Sequence, residues 1–548
     1  MTIKQLYNWH RKLSIIIAVP VLLWATSGLM HPLMTNMRPK VKQQSIQAQA
    51  VDTAMLKVPL QQVLQQSHID SFTSMRLVNI GRFWFYQVKV PQFSGLLYFS
   101  TLNGKLLNNG DALYARYLAK QFLEGNGNAA GKDNMQHRHM AMPATAAASV
   151  PQAAAPAAEE DCCSAASSMA NDTQGGAAIN NVSFVEGFTS EYKPINHLLP
   201  VYRVDFARAD GIRIYVETAQ SRFAFAVDHN RAAFDTFFQL FHTWSWIQFL
   251  GSGKFAVEVG LALLAFLTAV AGLYLFFNTK SGKASGNTLV KARKRHRYTA
   301  VVASVFTLMF SFSGGYHAFT KLTRPEEKPQ AVAQVFHTKN IQWDFARVSQ
   351  ALDDSTARIA NIALVQMNGR PYWQILLLPA QQHMQAPAHH MDLMKDMKAA
   401  APDIRYIDAG DYTQLPEGDR QYAVYLANML GHHTVNEVQS SSQVTAFTDE
   451  YGFINKRLPV WKIAYAAHHD ERFFVETTSG ALAAHINNLD MYEGYSFALL
   501  HKHHFMDWAG KQVRDGSTIV AASLQILLVV VGLVLYFVRK KRLAQKQA

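Results

Sequence analysis

The sequence predicts an integral membrane α-helical protein. It has four transmembrane helices, built as a duplicated two-helix repeat, and two α+β domains outside the bilayer. Three observations carry this. Four apolar runs, Leu13–Met34, Phe255–Phe277, Tyr298–Phe319 and Ser517–Val538, are each 22 or 23 residues long. The excess of Lys and Arg is confined to short flanks of those runs. The first half of the chain also overlays the second without gaps along two stretches.

At about 1.5 Å per residue, each run makes roughly 33 Å of helix, which matches the hydrocarbon core of a bilayer. The chain of 548 residues has 52 Lys+Arg against 39 Asp+Glu. Residues 1–12, 278–297 and 539–548 hold 15 of those basic residues and no acidic one, so the remainder is close to neutral. A nucleic-acid groove gathers its charge on a folded surface, so nucleic acid is excluded as a partner and membrane lipid is expected. A composition 49% hydrophobic and 17% charged excludes a disordered chain. Two adjacent cysteines, Cys162 and Cys163, cannot staple a scaffold of this size. The three basic flanks share one side if 35–254 and 321–516 lie on the other. The positive-inside rule then makes both termini and the 278–297 loop cytoplasmic. The expected location is a bacterial inner membrane with the large domains periplasmic. The first run is longer than the apolar part of a cleaved signal peptide and is expected to persist as a helix.

The elements follow in chain order. A cytoplasmic tip and the first helix occupy 1–34, and the first outer domain 35–254. The second helix is 255–277, the basic loop 278–297 and the third helix 298–320. The second outer domain is 321–516, the fourth helix 517–538 and the basic tail 539–548. In the first outer domain, Met75–Ile80, Phe83–Val90, Gly95–Ser100, Val201–Phe206, Gly211–Thr218 and Arg222–Val227 read as strands, with Asn103-Gly104 as a turn. Residues 460–465, 470–477 and 481–486 repeat the last three. The Ala-, Ser- and Gly-rich tract 125–180 reads as a flexible excursion. Apolar helices at 232–250 and 491–509 lead back to the membrane.

The duplication is read from 10–31 laid on 296–317, where 7 of 22 residues agree, and from Thr189–His242 laid on Thr448–His501, where 17 of 54 agree. It retains six histidines as three pairs: His10/His296, His31/His317 and His242/His501. Ionisable residues in spanning helices are rare and mark function. His10 and His31 are 21 residues apart, as are His296 and His317, which places one of each at either edge of a helix on roughly one face. No carboxylate accompanies them at helical spacing, which argues against zinc. Two imidazoles on opposite faces of a flat macrocycle are the axial ligands of haem iron. Ser27, Gly28, Ser313, Gly314 and Gly315 are small enough to admit one. There is no C-x-x-C-H, so the haem is expected to be b-type, and there is no visible flavin or nicotinamide motif.

His10-Arg11, His296-Arg297, Phe241-His242 and Leu500-His501 resemble the PepSY-associated transmembrane family. Its four-helix members include haem-containing inner-membrane ferric-siderophore reductases. The resemblance implies PepSY-like outer domains and haem b. It further implies reduction of a ferric chelate or siderophore in iron uptake. Quinol or a cytoplasmic reductase is expected as electron donor. His10 and His296 are expected to hold a cytoplasmic-side haem. The outer haem falls to His242 with His501 or to His31 with His317. Two haems are expected, or three if all four outer histidines take part. His501, His503 and His504 crowd together at the outer site. Two other functions compete. Met135, His137, His139, Met140 and Met142, with Cys162-Cys163, and then His383, Met384, His389, His390, Met391, Met394 and Met397, offer soft ligands for copper. PepSY domains are also associated with protein-binding regulators. His432-His433 and His468-His469 lack counterparts in the other half and read as surface residues.

Overall fold

The computed structural model describes residues 2–125, 162–171, 177–280, 288–324, 330–342, 344–352, 358–378, 401–466 and 470–547. The chain divides into two compact units. One comprises Met1–Arg38, His229–Lys328 and Ile486–Ala548, and the other Pro39–Asp228 and Pro329–His485.

The first unit is helical. Four helices, Ile3–Asn36, Gly253–Asn278, Thr288–Thr323 and Lys511–Gln547, are long and apolar enough to cross a membrane, and the chain is accordingly a membrane protein. The first and third each pack on the second and fourth, so they face each other across the bundle. Local chemistry sets the helix ends. Thr2 and Gln5 form a capping box at the first. The Arg297 guanidinium donates to the Phe276 and Thr279 carbonyls, closing the C-terminus of the second with a cation where the dipole favours one. Gln525 ties the fourth helix to the third. Its Oε1 accepts from Thr307 Oγ1 at 2.7 Å and its Nε2 donates to the Ala303 carbonyl at 2.9 Å.

Two further segments belong to this unit. The helix His229–Phe241 ends in a turn at Trp244 and a 3-10 stretch Ser245–Leu250. The helix Asn488–Ser496 runs into a π turn Phe497–His501, a bend at His503 and a 3-10 stretch His504–Ala509. Trp244 and His503, which occupy corresponding positions, both have left-handed backbones, with φ 45° and 55°. Each segment expected as one apolar helix is therefore broken where it turns.

The second unit is built on sheets. Seven strands run in the order Gln414–Leu415, Asp403–Asp408, Arg370–Leu377, Ile359–Met367, Ser74–Ile80, Phe83–Lys89 and Leu97–Ser100. The two stretches expected as separate domains thus share one sheet, joined where Ala363 pairs with Arg76. Two four-stranded antiparallel sheets, Ile179–Val185 to Arg222–Val227 and Val438–Val444 to Ala481–Ile486, have matching strand order. Helices Gly110–Glu124 and Gly418–Gly431 cover them. Part of the tract expected as a flexible excursion is ordered. The helix Cys162–Asn171 buries Cys162, Ala166 and Ala170, whose four-residue spacing makes one flat apolar face in a composition that otherwise looks low in complexity.

Candidate functional site

The six paired histidines all lie in the helical unit. His10 leans from the first spanning helix onto the second. Its Nδ1 is 3.1 Å from the Thr268 carbonyl oxygen. A carbonyl only accepts, so Nδ1 carries the proton and Nε2 the lone pair. The ring lies over Gly272, where a Cβ would stand 3.1 Å from His10 Cε1. His296 repeats this on the fourth helix, lying over Gly532, with 3.6 Å to the corresponding Cβ. Its Nδ1 is buried with no hydrogen-bond partner. The structure does not bring His10 and His296 into ring contact.

His242 and His501 do meet. Their ring centroids are 6.1 Å apart and the planes cross at 83°. Ser27 Oγ lies 2.7 Å from the Leu23 carbonyl, which takes its proton, so the same oxygen accepts from His242 Nδ1 at 3.0 Å. Ser313 does the same in the other half, donating to the Met309 carbonyl at 2.8 Å and accepting from His501 Nδ1 at 3.1 Å. Both rings are fixed in the tautomer that leaves the Nε2 lone pair free. Burial pushes His242 down to about 4, and burial with the neighbouring His242 also lowers His501, which favours the neutral form of both imidazoles. Two metal–nitrogen bonds of about 2 Å each, plus the half-width of each ring, separate two axial imidazoles by roughly 6 Å. The observed pair has that spacing. Gly314, beside His501, leaves the edge of the ring open, with 3.7 Å from its absent Cβ to Cε1.

His31 and His317 stand one helical turn outward from Ser27 and Ser313. Phe238 touches both His31 (5.9 Å) and His242 (4.4 Å), and Phe497 touches both His317 (4.8 Å) and His501 (4.6 Å). A phenyl ring accompanies each outer histidine to its deeper neighbour, and His31 and His317 are not in ring contact with each other. His317 Nδ1 is 2.6 Å from Glu493 Oε1, whereas the overlay places Phe234 opposite Glu493 in the first half. One turn inward from the His242–His501 pair, Trp24 stacks on Trp244 at 5.0 Å and Phe310 on His503 at 5.6 Å. Ser27 is 17 residues from His10, about 26 Å of helix, so the meeting pair sits nearer the inner histidines than His31 does.

Sequence reasoning missed Gly272 and Gly532 as supports for the inner histidines. The signal was present: Val-x-Gly-Leu-x-Leu-x-Phe runs from Val270 to Phe277 and again from Val530 to Phe537. The copper tracts, Met135–Met142 and His383–Met397, lie outside the described residues, and so do His468 and His469. Cys162 Sγ lies 3.0 Å from Ser100 Oγ in the core, and Cys163 Sγ contacts the Lys105 carbonyl at 3.9 Å. Among the described residues no group of three or more His, Cys, Asp or Glu is arranged to hold a metal ion. His433 is not a surface residue. Its side chain is 8% exposed and lies between Glu437 and Glu471, stacked on Tyr465.

No curated protein matches the chain. Over residues 132–335, which hold the second and third spanning helices with His242, His296 and His317, the chain matches the family model of the PepSY-associated TM region.

Proposed function

We propose that this chain is a transmembrane b-type haem electron-transfer protein that reduces ferric iron or a ferric siderophore for iron uptake. The observation that carries the reading is the His242–His501 pair. The two imidazoles have ring centroids 6.1 Å apart, and each has its Nδ1 on a serine hydroxyl that already donates to its own helix. A resident haem would supply one-electron chemistry there. The chain's own part is to fix the two imidazoles, to line the slot with small residues and to exclude water. His10 and His296, each seated on a glycine, are proposed for the inner haem.

On this reading the basic flanks face the cytoplasm and the two large segments face the periplasm of an inner membrane. The two halves are a duplication whose PepSY-like parts share one sheet. Quinol or a cytoplasmic reductase supplies electrons, and a ferric chelate takes them. The test is pyridine haemochrome quantitation of the purified full chain. Two haems per chain are expected. Replacing His242 or His501 with Ala should remove one, and replacing His10 or His296 should remove the other. In liposomes, chemically reduced haem should be reoxidised by external ferric chelate. Unchanged haem content in all four variants, or no haem in the wild type, overturns the proposal.

A further inference from the structure

The two segments that carry His242 and His501 run down beside spanning helices before they turn. In the first half, Arg231 Nη1 reaches the Met34 carbonyl at 3.5 Å, and further along the same segment the His242 carbonyl accepts from Trp24 Nε1 at 3.1 Å. In the second half, Asp490 pairs with Arg324, Glu493 with His317, His501 with Ser313, and His503 stacks on Phe310. Met34 and Phe319 end the apolar runs of the first and third helices. Trp24 lies ten residues inside Met34 and Phe310 nine inside Phe319, so both turns sit about 14 Å within those ends. The second and fourth helices, Gly253–Asn278 and Lys511–Gln547, begin only after the turns. The turns therefore lie at a level where two of the helices are already deep in apolar sequence and the other two are just entering it.

What the turns present outward is aromatic. Phe249 is 82% exposed, Trp508 84%, Trp246 57% and Phe505 47%. Carried on past His242, the overlay sets Trp246 on Phe505 and Phe249 on Trp508, so each half keeps a ring at both places although the rings differ. The polar groups of the turns are satisfied from within. Trp246 Nε1 donates to the Leu240 carbonyl at 3.1 Å, and Gln248 Oε1 accepts from Lys254 at 3.3 Å. Asp507 accepts from Arg514 at 2.6 Å and lies 2.9 Å from His504 Nδ1. His503 Nδ1 is 2.9 Å from Ser517 Oγ, and that hydroxyl donates to the Arg514 carbonyl at 2.7 Å. Trp244 and His503, at the bends, are both buried. The irregular backbone is thus backed by protein, the condition under which it is tolerated at membrane depth. Exposed rings that lead straight into spanning helices face the medium those helices face.

We propose that the turns Ser245–Leu250 and His504–Ala509 are a matched pair of membrane-interface anchors, with Trp246, Phe249, Phe505 and Trp508 inserted among phospholipid acyl chains just beneath the head groups. Elements that lie in this plane bury their apolar side to a depth of about 5–10 Å. The segments running from His229 and from Asn488 to these turns then belong to the membrane part of the molecule and not to a domain outside it. The anchors hold His242 and His501 at the level of the bilayer whatever that pair binds, so the inference stands apart from the haem reading. Lipid is favoured over a second copy of the chain because the rings recur in both halves and each set continues directly into a spanning helix.

The test is tryptophan fluorescence of the full chain in nanodiscs of ordinary phospholipid and of phospholipid brominated along its acyl chains, a quencher that acts on contact. The emission of Trp508 is read as the difference between wild type and Trp508→Phe, and that of Trp246 as the difference from Trp246→Phe. Brominated lipid should cut each difference at least twofold, and iodide in the buffer should leave both nearly unchanged. The Trp84→Phe difference reports a buried ring of the sheet unit and should be the same in both lipids. The two anchor variants lie in different halves, so either one carries the test if the other fails to fold. Quenching of both rings by iodide and not by brominated lipid overturns the proposal. Protection from both quenchers also overturns it, and a dimeric chain would then identify this face as a contact between copies. Haem content, measured on the same samples, bears on the haem reading alone.

Discussion

A serine inside a helix that donates to the carbonyl four residues back has only a lone pair left to offer. Ser27, Ser313 and Ser517 are all in this position or its three-residue equivalent, and each turns a neighbouring histidine so that Nε2 is free. Partners of this kind, one step removed from a metal, are worth about 10–100-fold in affinity. On the proposed haem function, Ser27→Ala and Ser313→Ala should each weaken haem binding by about that factor, read by titrating haem into the stripped protein, while saturating haem restores the full stoichiometry. Equal affinity in both variants would show that packing alone orients the rings. The inner pair depends instead on the absence of a side chain. A Cβ at Gly272 would stand 3.1 Å from His10 Cε1, and larger groups would occupy the ring's own place. Gly272→Val should remove one haem equivalent and spare the other. Gly532→Ala, with 3.6 Å of clearance, should keep both. A Gly272→Val protein that retains both haems would show that His10 is not a ligand.

Among the elements, the spanning helices were legible because hydropathy and flanking charge are properties of composition, independent of what packs on what. Strands Val201–Phe206, Arg222–Val227, Val460–Tyr465 and Ala481–Ile486 fall where alternation and the gapless overlay put them. Helices Gly110–Glu124 and Gly418–Gly431 were not read, although they share a buried fingerprint. Gln87 Nε2 donates to Tyr98 Oη at 2.6 Å, and Tyr98 Oη donates to Asp111 at 2.9 Å. Gln374, Tyr406 and Asp419 reproduce both distances. The overlay could not find this, because Asp111 precedes Thr218 by 107 residues and Asp419 precedes Thr477 by only 58. The shared seven-stranded sheet was hidden for another reason: pairing Ser74–Ile80 with Ile359–Met367 is a long-range choice that leaves no local pattern. At the site, the three histidine pairs were legible by position. Which of them meet was not, since that depends on the left-handed turns at Trp244 and His503. The helix starts supply their own test. A Cβ on Gly418 would fall 2.6 Å from Tyr406 Cβ, an atom fixed by its strand. Gly418→Ala should destabilise the sheet unit by about 1–3 kcal/mol, seen as a lowered thermal midpoint with haem content unchanged. An unaltered midpoint would mean that the helix can slide.

At the scale of the whole molecule, the first and second halves of the sheet unit are joined by buried charge as well as by strands. Burial would raise the carboxyl of Glu476, but Arg222 from the first half and Arg457 from the second outweigh it and hold it at about 2. Arg457 donates to Glu476 at 2.7 Å, so the cluster stays paired at any pH near neutral. Lys456 is different. Its Nζ donates to Asn196 Oδ1 at 2.7 Å and to the Ala224 carbonyl at 2.5 Å, both in the first half and both neutral. Burial without a counter-charge lowers it from 10.5 to about 7. The sign follows from proton counting. Between about pH 7 and 10.5 the unfolded chain holds the Lys456 proton more firmly than the folded one, so stability from this group rises with pH across that window and is at its minimum below it. From pH 7 to pH 9 the gain is about 2 kcal/mol, which corresponds to a few degrees in thermal midpoint. Other groups titrate in the same range, but they are common to a variant that lacks only this amine. The thermal midpoint of Lys456→Met should therefore rise less between pH 7 and pH 9 than that of the wild type. Its advantage, if the two lost hydrogen bonds allow one, should appear at the acid end. Parallel pH profiles for the two proteins would place the Lys456 ammonium in water and dissolve the argument that it clamps the halves from within.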